Sequence, residues 1–361
     1  ETGKGISYAE ERVLIEDVVH YENLIPGKKY TVQGVLKDQD DGESLRDAKG
    51  KEITAKREFT AKDAEGEVTV VFEFDGSLLE GKTAVAFEEL FTEKKRIAVH
   101  ADIHDEAQTI EFPKIRTQAA DPRTGINLTM ASDEITVVDR VSYEHLIPGC
   151  GYRLKGMLME KSTGEPAVDS KGRRLQADTE FVAKGNEGTV ELEFRFSGKD
   201  MESRTFVVFE ELSIEKSWFK EATVAVHKDI RDEAQTIYIP KLGTAVRDQA
   251  TGMRMAKADS EVTLIDEVKY ENLLPGKEYV IQGTLMDART KKAAADGKGK
   301  PITAQAVFTP VKKDGSIEVE FRFDGSGLSG ETVVVYEELL YQNHRIAEHK
   351  DLEDEKQTVH L

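Results

Sequence analysis

The string His-x-Asp-x-x-Asp-Glu-x-Gln-Thr occurs three times in this chain: HADIHDEAQT from His100, HKDIRDEAQT from His227 and HKDLEDEKQT from His349. Its residue types can do chemistry. Histidine is a base near neutral pH, carboxyl groups orient or protonate, and a glutamine carboxamide both donates and accepts hydrogen bonds. The His and Gln lie eight residues apart. On one straight strand that is roughly 27 Å, too far to meet. The string is therefore expected to fold back as a hairpin with DIRDE as its turn. That sets His227 beside Gln235 on a final strand, His100 beside Gln108 and His349 beside Gln357.

Other polar residues stand where apolar ones belong. Side chains along a strand alternate between its faces. Asp139 falls in phase with Ile135, Val137, Val141 and Tyr143, Asp266 with Leu264, Val268 and Tyr270, and Asp17 with Ile15, Val19 and Tyr21. Thr117 shares a phase with Ile115, and Thr244 with Leu242 and Val246. Glu88, Glu210 and Glu337 each end an apolar run, and each is followed by a second glutamate. An isolated buried carboxylate costs several kcal/mol or stays protonated. Its recurrence implies that Asp, Glu, His, Thr and Gln satisfy one another in one cluster per repeat.

The elements that must position these residues repeat with them. DVVHYENLIPGKKY begins at Asp17, DRVSYEHLIPGCGY at Asp139 and DEVKYENLLPGKEY at Asp266, spaced 122 and 127 residues apart. Each copy continues with a Gly-x-Leu segment, a polar glycine-rich hairpin, an alternating strand such as VELEFRFSG, and then VAFEEL, VVFEEL or VVYEEL. Short alternating runs between Gly, Pro, Asn and Asp turns, with no long helical period, predict an all-β fold. Seven to nine strands per copy suggest three tandem immunoglobulin-like β-sandwiches, over residues 1–112, 113–239 and 240–361. The first copy lacks the strand that opens the others as KIRTQAAD and KLGTAVRD; Thr2-Gly3 aligns only with the Thr-Gly that follows it. Pro113 and Pro240 sit in joints of nine positions, which favours a stiff rod.

The totals bound the partners. The chain has 361 residues, 33% of them charged, and a net charge of −19. That argues against nucleic acid or insertion into an anionic membrane, and no apolar run approaches a membrane span. The chain is thus expected to be an excised piece or a mature ectodomain of a longer protein. Its single cysteine, Cys150, rules out an intrachain disulfide and reads as an exposed turn residue.

These motifs carry a resemblance. Through the Val-x-Phe-Glu runs, and most specifically through the terminal His-x-Asp-x-x-Asp-Glu-x-Gln-Thr string, the chain resembles the VaFE-type repeats of Gram-positive surface proteins. It also resembles the immunoglobulin-like adhesin domains that form an intramolecular Thr–Gln ester. In that family a Thr on the first strand attacks the side-chain amide of a Gln on the last, His, Asp and Glu assist, and ammonia leaves. The resemblance implies a crosslink between Thr117 and Gln235 in repeat 2, assisted by Asp139, Glu210 and His227. In repeat 3 it implies one between Thr244 and Gln357, assisted by Asp266, Glu337 and His349. Glu211 and Glu338 are the neighbouring alternatives to the assisting glutamates. His227 is expected to be the base, oriented by Asp139, with Glu210 polarising the amide. Repeat 1 keeps Asp17, Glu88, His100 and Gln108 but no threonine strand, so no internal ester is expected there and its sheet edge is open to a threonine strand from another molecule.

The implied function is the stalk of an extracellular, cell-wall-anchored adhesin. Its partners are its own neighbouring repeats, with a host-surface ligand bound by other domains. It needs no cofactor and no metal, and it is no enzyme beyond one self-modifying turnover. The rival readings are a ligand-binding module whose clusters are purely structural, and a stalk tied by Lys–Asn isopeptide bonds. Lys114 and Lys241 lie in the wrong phase for the latter. A metal site at His227 and Asp229 lacks a second histidine, and no nucleophile-elbow sequence supports a hydrolase. Residues 38–51 read as a solvated hairpin rather than a calcium loop, and Trp218 as cover for a sandwich edge.

Overall fold

The computed structural model describes residues 4–217 and 220–361; Thr2, Gly3 and Trp218 lie outside the described residues. Repeat 1 contains β1 (Val13–Tyr21), β2 (Lys29–Asp38), β3 (Thr54–Thr60), β4 (Gly66–Phe74), β5 (Lys82–Thr92), β6 (Lys95–His100) and β7 (Thr109–Phe112). Repeat 2 contains β8 (Lys114–Ala120), β9 (Ile135–Glu144), β10 (Gly151–Glu160), β11 (Gln176–Val182), β12 (Gly188–Phe196), β13 (Thr205–Ser217), β14 (Lys220–His227) and β15 (Thr236–Tyr238). Repeat 3 contains β16 (Lys241–Asp248), β17 (Val262–Glu271), β18 (Tyr279–Asp287), β19 (Thr303–Phe308), β20 (Gly315–Phe323), β21 (Thr332–Tyr341), β22 (His344–His349) and β23 (Thr358–His360). Among the described residues there is no α-helix, and hence none that could cross a membrane. The expectation of three tandem immunoglobulin-like sandwiches holds.

Each complete repeat stacks a five-stranded antiparallel sheet on a three-stranded one. In repeat 2 these are β11-β10-β13-β14, with β15 also on β13, and β12-β9-β8; repeat 3 repeats the plan. The alternation read in the sequence is what builds them. Along β9 the inward residues Ile135, Val137, Val141 and Tyr143 are buried, and they pack against Leu154, Leu158, Phe194 and Leu212 in one core. In repeat 1 the described residues give the second sheet two strands, β1 and β4, with β1 at its edge.

Two recurring motifs have local structural causes. In the LIPG-x-x-Tyr segments a glycine at φ near 80° (Gly27, Gly149, Gly276) makes the turn. The tyrosine hydroxyl then accepts the turn's backbone N–H, from Ile25 to Tyr30 at 2.9 Å and from Ile147 to Tyr152 at 2.8 Å. The glycine of Gly-x-Leu lies opposite the buried glutamate: Gly34 with Glu88, Gly156 with Glu210, Gly283 with Glu337. A Cβ there would meet the Phe72 ring at 2.5 Å, Leu192 at 2.3 Å or the Phe321 ring at 2.4 Å, so glycine lets an apolar side chain close over the glutamate's strand. Residues 38–51 form the expected hairpin, with Asp47 Oδ1 accepting N–H bonds from Lys49 and Lys51 at 2.9 Å. Cys150 is half-buried rather than exposed, its sulfur 3.5 Å from Lys4 Nζ.

The joints are packed. Between repeats 1 and 2, Glu111 accepts from Thr83 at 2.7 Å and lies 3.0 Å from Nδ1 of His145. Between repeats 2 and 3 the equivalent Asn272 donates to the carbonyls of Arg204 and Ile239 at 3.3 and 3.2 Å, and Lys313 pairs with Glu233 at 3.1 Å.

Candidate functional site

In repeat 2 four elements converge. On β8, Thr117 sits opposite Val141 of β9, and Ala119 sits opposite Asp139. On β13, Glu210 sits opposite both Gly156 and His227. Gln235 comes in just before β15. Its Nε2 lies 2.6 Å from each Glu210 carboxyl oxygen and also donates to Thr117 Oγ1. The Thr117 hydroxyl in turn faces Glu210 Oε1 at 3.4 Å. Repeat 3 reproduces this arrangement: Gln357 Nε2 donates to Glu337 Oε2 at 2.6 Å and to Thr244 Oγ1. Asp139, Glu210, Gln235, Asp266, Glu337 and Gln357 are all 0% exposed. The glutamate of each pair that enters the site is thus the first one; Glu211 and Glu338 instead pair at the surface with Lys228 and Lys350.

The terminal string is not the hairpin that its spacing suggested. β14 and β15 do not pair with each other; both pair with β13, one after the other along the same edge. The residues between them loop out of what would otherwise be one strand. Side-chain-to-backbone bonds hold the loop, and they account for the motif residue by residue. Asp229 Oδ1 accepts from Arg231 N at 2.9 Å, Asp232 Oδ1 from Ala234 N at 2.8 Å, and Thr236 Oγ1 donates to Asp232 O at 2.6 Å. In repeats 1 and 3 the same second aspartate, Asp105 or Asp354, caps a 3-10 turn that ends on the glutamine. His227 and Gln235 still meet at one place, because both lie against Glu210.

Sequence reasoning missed the histidine's partner. His227 Nε2 lies 3.0 Å from Asp232 Oδ2, His349 Nε2 3.1 Å from Asp354 Oδ2, and His100 Nε2 3.2 Å from Asp105 Oδ2. The orienting carboxylate therefore comes from the string's own second Asp, five residues on, rather than from Asp139. Its threefold recurrence was the available signal. Among the described residues no hydrogen bond joins His227 to Thr117, although their strands, β14 and β8, are in contact.

The electrostatics follow from burial. Burial, and next the charge of Asp139, pushes Glu210 up to about 11. Burial and then the neighbouring Asp266 raise Glu337 well above the usual carboxyl range. Burial likewise raises Asp139 and Asp266. Two carboxyls this close in a low-dielectric site cannot both ionise, so each pair holds a proton at neutral pH. Asp139 lies against Thr117 and Glu210, yet both its oxygens lack a fixed hydrogen-bond donor. Ten buried side-chain polar atoms of the three clusters have no hydrogen-bond partner, including Oε1 of Gln108, Gln235 and Gln357. A purely structural polar network would normally satisfy such atoms.

Repeat 1 holds the same residues in looser form. Gln108 Nε2 donates to Glu88 Oε2 at 2.7 Å, and His100 Nδ1 lies 3.7 Å from that oxygen. Asp17, Val19 and Tyr21 are only half-buried, whereas Asp139, Val141 and Tyr143 are buried. Glu88 is raised by burial and then by Asp17, but only to about 8.

A tandem array of β-sandwiches, each closing a glutamine and a paired acid inside one corner and two of them adding a threonine, defines a class of immunoglobulin-like domains built around a Thr, Gln and acid site. The comparisons agree with that class. The chain belongs to the family of T-Q ester bond containing domains, whose model matches residues 1–112, 113–239 and 240–361. Among solved structures the chain is similar to a bacterial adhesin from Mobiluncus mulieris containing intramolecular disulfide, isopeptide and ester bond cross-links. That match has 15% identity, covers 63% of this chain and 81% of that one, and has a TM-score of 0.32. It is also similar to the C-terminal domain of the AgI/II polypeptide BspA from Streptococcus agalactiae (9% identity, 69% and 100% covered, TM-score 0.33). These likenesses are loose and carry no weight on function. No curated protein matches.

Proposed function

We propose that this chain is a stalk segment of a bacterial cell-surface adhesin, in which repeats 2 and 3 each tie their first strand to their last through a Thr–Gln ester. It lies outside the cell and is held to the wall by a segment elsewhere in the protein. The carrying observation is that in both complete repeats the threonine hydroxyl abuts the glutamine side chain against a buried, proton-holding acid pair. A bond forms from Thr117 Oγ1 to the Gln235 side-chain carbonyl carbon, and the bond from that carbon to Nε2 breaks. The hydroxyl proton leaves through Glu210 toward His227, the base that Asp232 orients, and is returned to the nitrogen as ammonia departs. Neutral Glu210, 2.6 Å from Nε2, is placed to hand a proton to the departing nitrogen, and Asp139 keeps it neutral. Burial then shields the ester from water.

Pulling force would enter repeat 2 near Thr117 and leave near Gln235 through covalent bonds, bypassing the sheets. The test is intact mass under denaturing conditions. We expect a deficit of two ammonias, mapped by peptide analysis to Thr117–Gln235 and Thr244–Gln357. No deficit would leave ordinary buried polar networks and favour a ligand-binding module.

A further inference from the structure

We infer that repeat 3 positions the ester-forming site of repeat 2, with Lys313 as the positioning residue; this rests on the ester reading above. Gln235 arrives on the loop 228–235 between β14 and β15, so whatever holds that loop sets where its carboxamide stands. Repeat 3 reaches over the joint to hold it. Lys313, two residues before β20, places its Nζ 3.1 Å from Glu233 Oε2 and 4.3 Å from the centre of the Tyr238 ring, and donates to the Tyr238 hydroxyl. That hydroxyl donates in turn to Glu233 Oε2. Glu233 lies two residues before Gln235 and Tyr238 three after it, so the glutamine is bracketed by the two groups that Lys313 grips. Repeat 2 supplies the other half of the clamp. Lys161 Nζ donates to Glu233 Oε1 and to Thr236 Oγ1, both at 2.9 Å, and Asn127 Nδ2 donates to the backbone oxygens of Glu233 and Thr236 at 3.1 and 2.7 Å.

Burial works against a charge on Glu233, yet the bonds from Tyr238, Lys161 and Lys313 outweigh it and hold the carboxyl down at about 2. The clamp is therefore charged at neutral pH. As ion pairs on a partly exposed surface these contacts add little to stability. Their weight falls on geometry, because a 1 Å misplacement of a reacting group can cost about 100-fold in rate. The joint between repeats 1 and 2 shows that such a grip is not a general property of the joints. There the corresponding residues are Glu106, Glu111 and Asn186. Among the described residues His145 bonds to Glu111, and no side chain of repeat 2 bonds to Glu106. Repeat 3 follows repeat 2 along the chain, so repeat 2 closes its tie quickly only once the next repeat has folded against it.

The experiment follows the whole 361-residue chain from cell-free synthesis onward, sampling intact mass under denaturing conditions and mapping the Thr117–Gln235 and Thr244–Gln357 peptides at each time. Lys313→Met keeps the aliphatic stem and removes the charge. It should slow closure of repeat 2 by roughly 10-fold, part of what a misplaced reacting group can cost, and leave repeat 3 in the same sample unchanged. Lys313→Arg, which keeps charge and reach, should restore the rate. Unchanged closure of repeat 2 in Lys313→Met overturns the inference. So does equal slowing of both repeats, which would place the damage in the folding of repeat 3, and so does failure of the arginine to restore the rate. If the unaltered chain forms both bonds and Lys313→Met changes nothing, only the positioning role falls; if it forms neither, the ester reading has failed with it.

Discussion

Repeats 1 and 2 hold the same aspartate, glutamate, histidine and glutamine, and differ in one strand. Where β8 is present, Asp139 is wholly buried and the His227 side chain is 25% exposed; where its counterpart is missing, Asp17 is half-buried and the His100 side chain is 51% exposed. Glu210 is pushed up to about 11 and Glu88 only to about 8, in both cases chiefly by burial. The nucleophile's strand thus does two jobs. It brings the hydroxyl, and it seals the acid pair from water, which fixes the pair's protonation. A site lacking that strand keeps its residues but loses part of its electrostatic preparation.

The sharpest way to break the comparison is to remove the nucleophile where it exists. Thr117→Ala and Thr244→Ala should each abolish one ammonia loss. Each should also lower the stability of its repeat by about 5 kcal/mol, the chain-entropy value of closing a loop of over a hundred residues, seen as separate calorimetric transitions. Gln108→Ala should leave the mass deficit of the chain alone unchanged. Next in size is the acid. Glu210→Gln removes the proton donor while keeping the shape, so ester formation in repeat 2 should slow by roughly 100-fold. Repeat 3, measured as ammonia release in the same sample, serves as the internal control; equal rates would remove Glu210 from the mechanism.

A smaller effect separates repeat 1 by pH. The folded Glu88 has a raised pKa, so folded repeat 1 holds a proton that the unfolded chain gives up. Its extra stability is complete below the ordinary value of 4.5 and is lost as pH rises to about 8. The unfolding free energy of repeat 1 should fall across that window by at most about 1.4 kcal/mol per pH unit and then level off, and Glu88→Gln should flatten the curve. The smallest effect is at the joint. The hydrogen bond to Glu111 holds His145 above its usual 6.5. The charged pair therefore stabilises fully below 6.5 and fades as pH rises through the raised value, a contribution of about 1 kcal/mol. Ring-proton NMR should show this raised titration, and Glu111→Gln should return it to the ordinary range.

Much of this was legible in the residues. Period-two alternation gave the sandwiches, and polar residues in an apolar phase marked Asp139, Glu210 and Gln235 as inward. The path of the terminal string was not legible, because spacing alone cannot distinguish a hairpin from a loop that leaves and rejoins one strand edge. What decides it is the bonding of Asp229, Asp232 and Thr236 to nearby backbone. For the same reason the His227–Asp232 pair escaped notice: a residue read as a turn former is also the histidine's partner. The joints were legible only in length. His145 and Asn272 occupy one position with different chemistry, and only the contacts across each joint reveal it.

The ties also set how far the molecule can lengthen. Were Thr117 joined to Gln235 and Thr244 to Gln357 as proposed, the only backbone between the two clasps that could pay out would be the nine-position joint at Pro240, some 30 Å at about 3.4 Å per residue. Repeats 2 and 3 would then behave as an inextensible cable with one short extensible link.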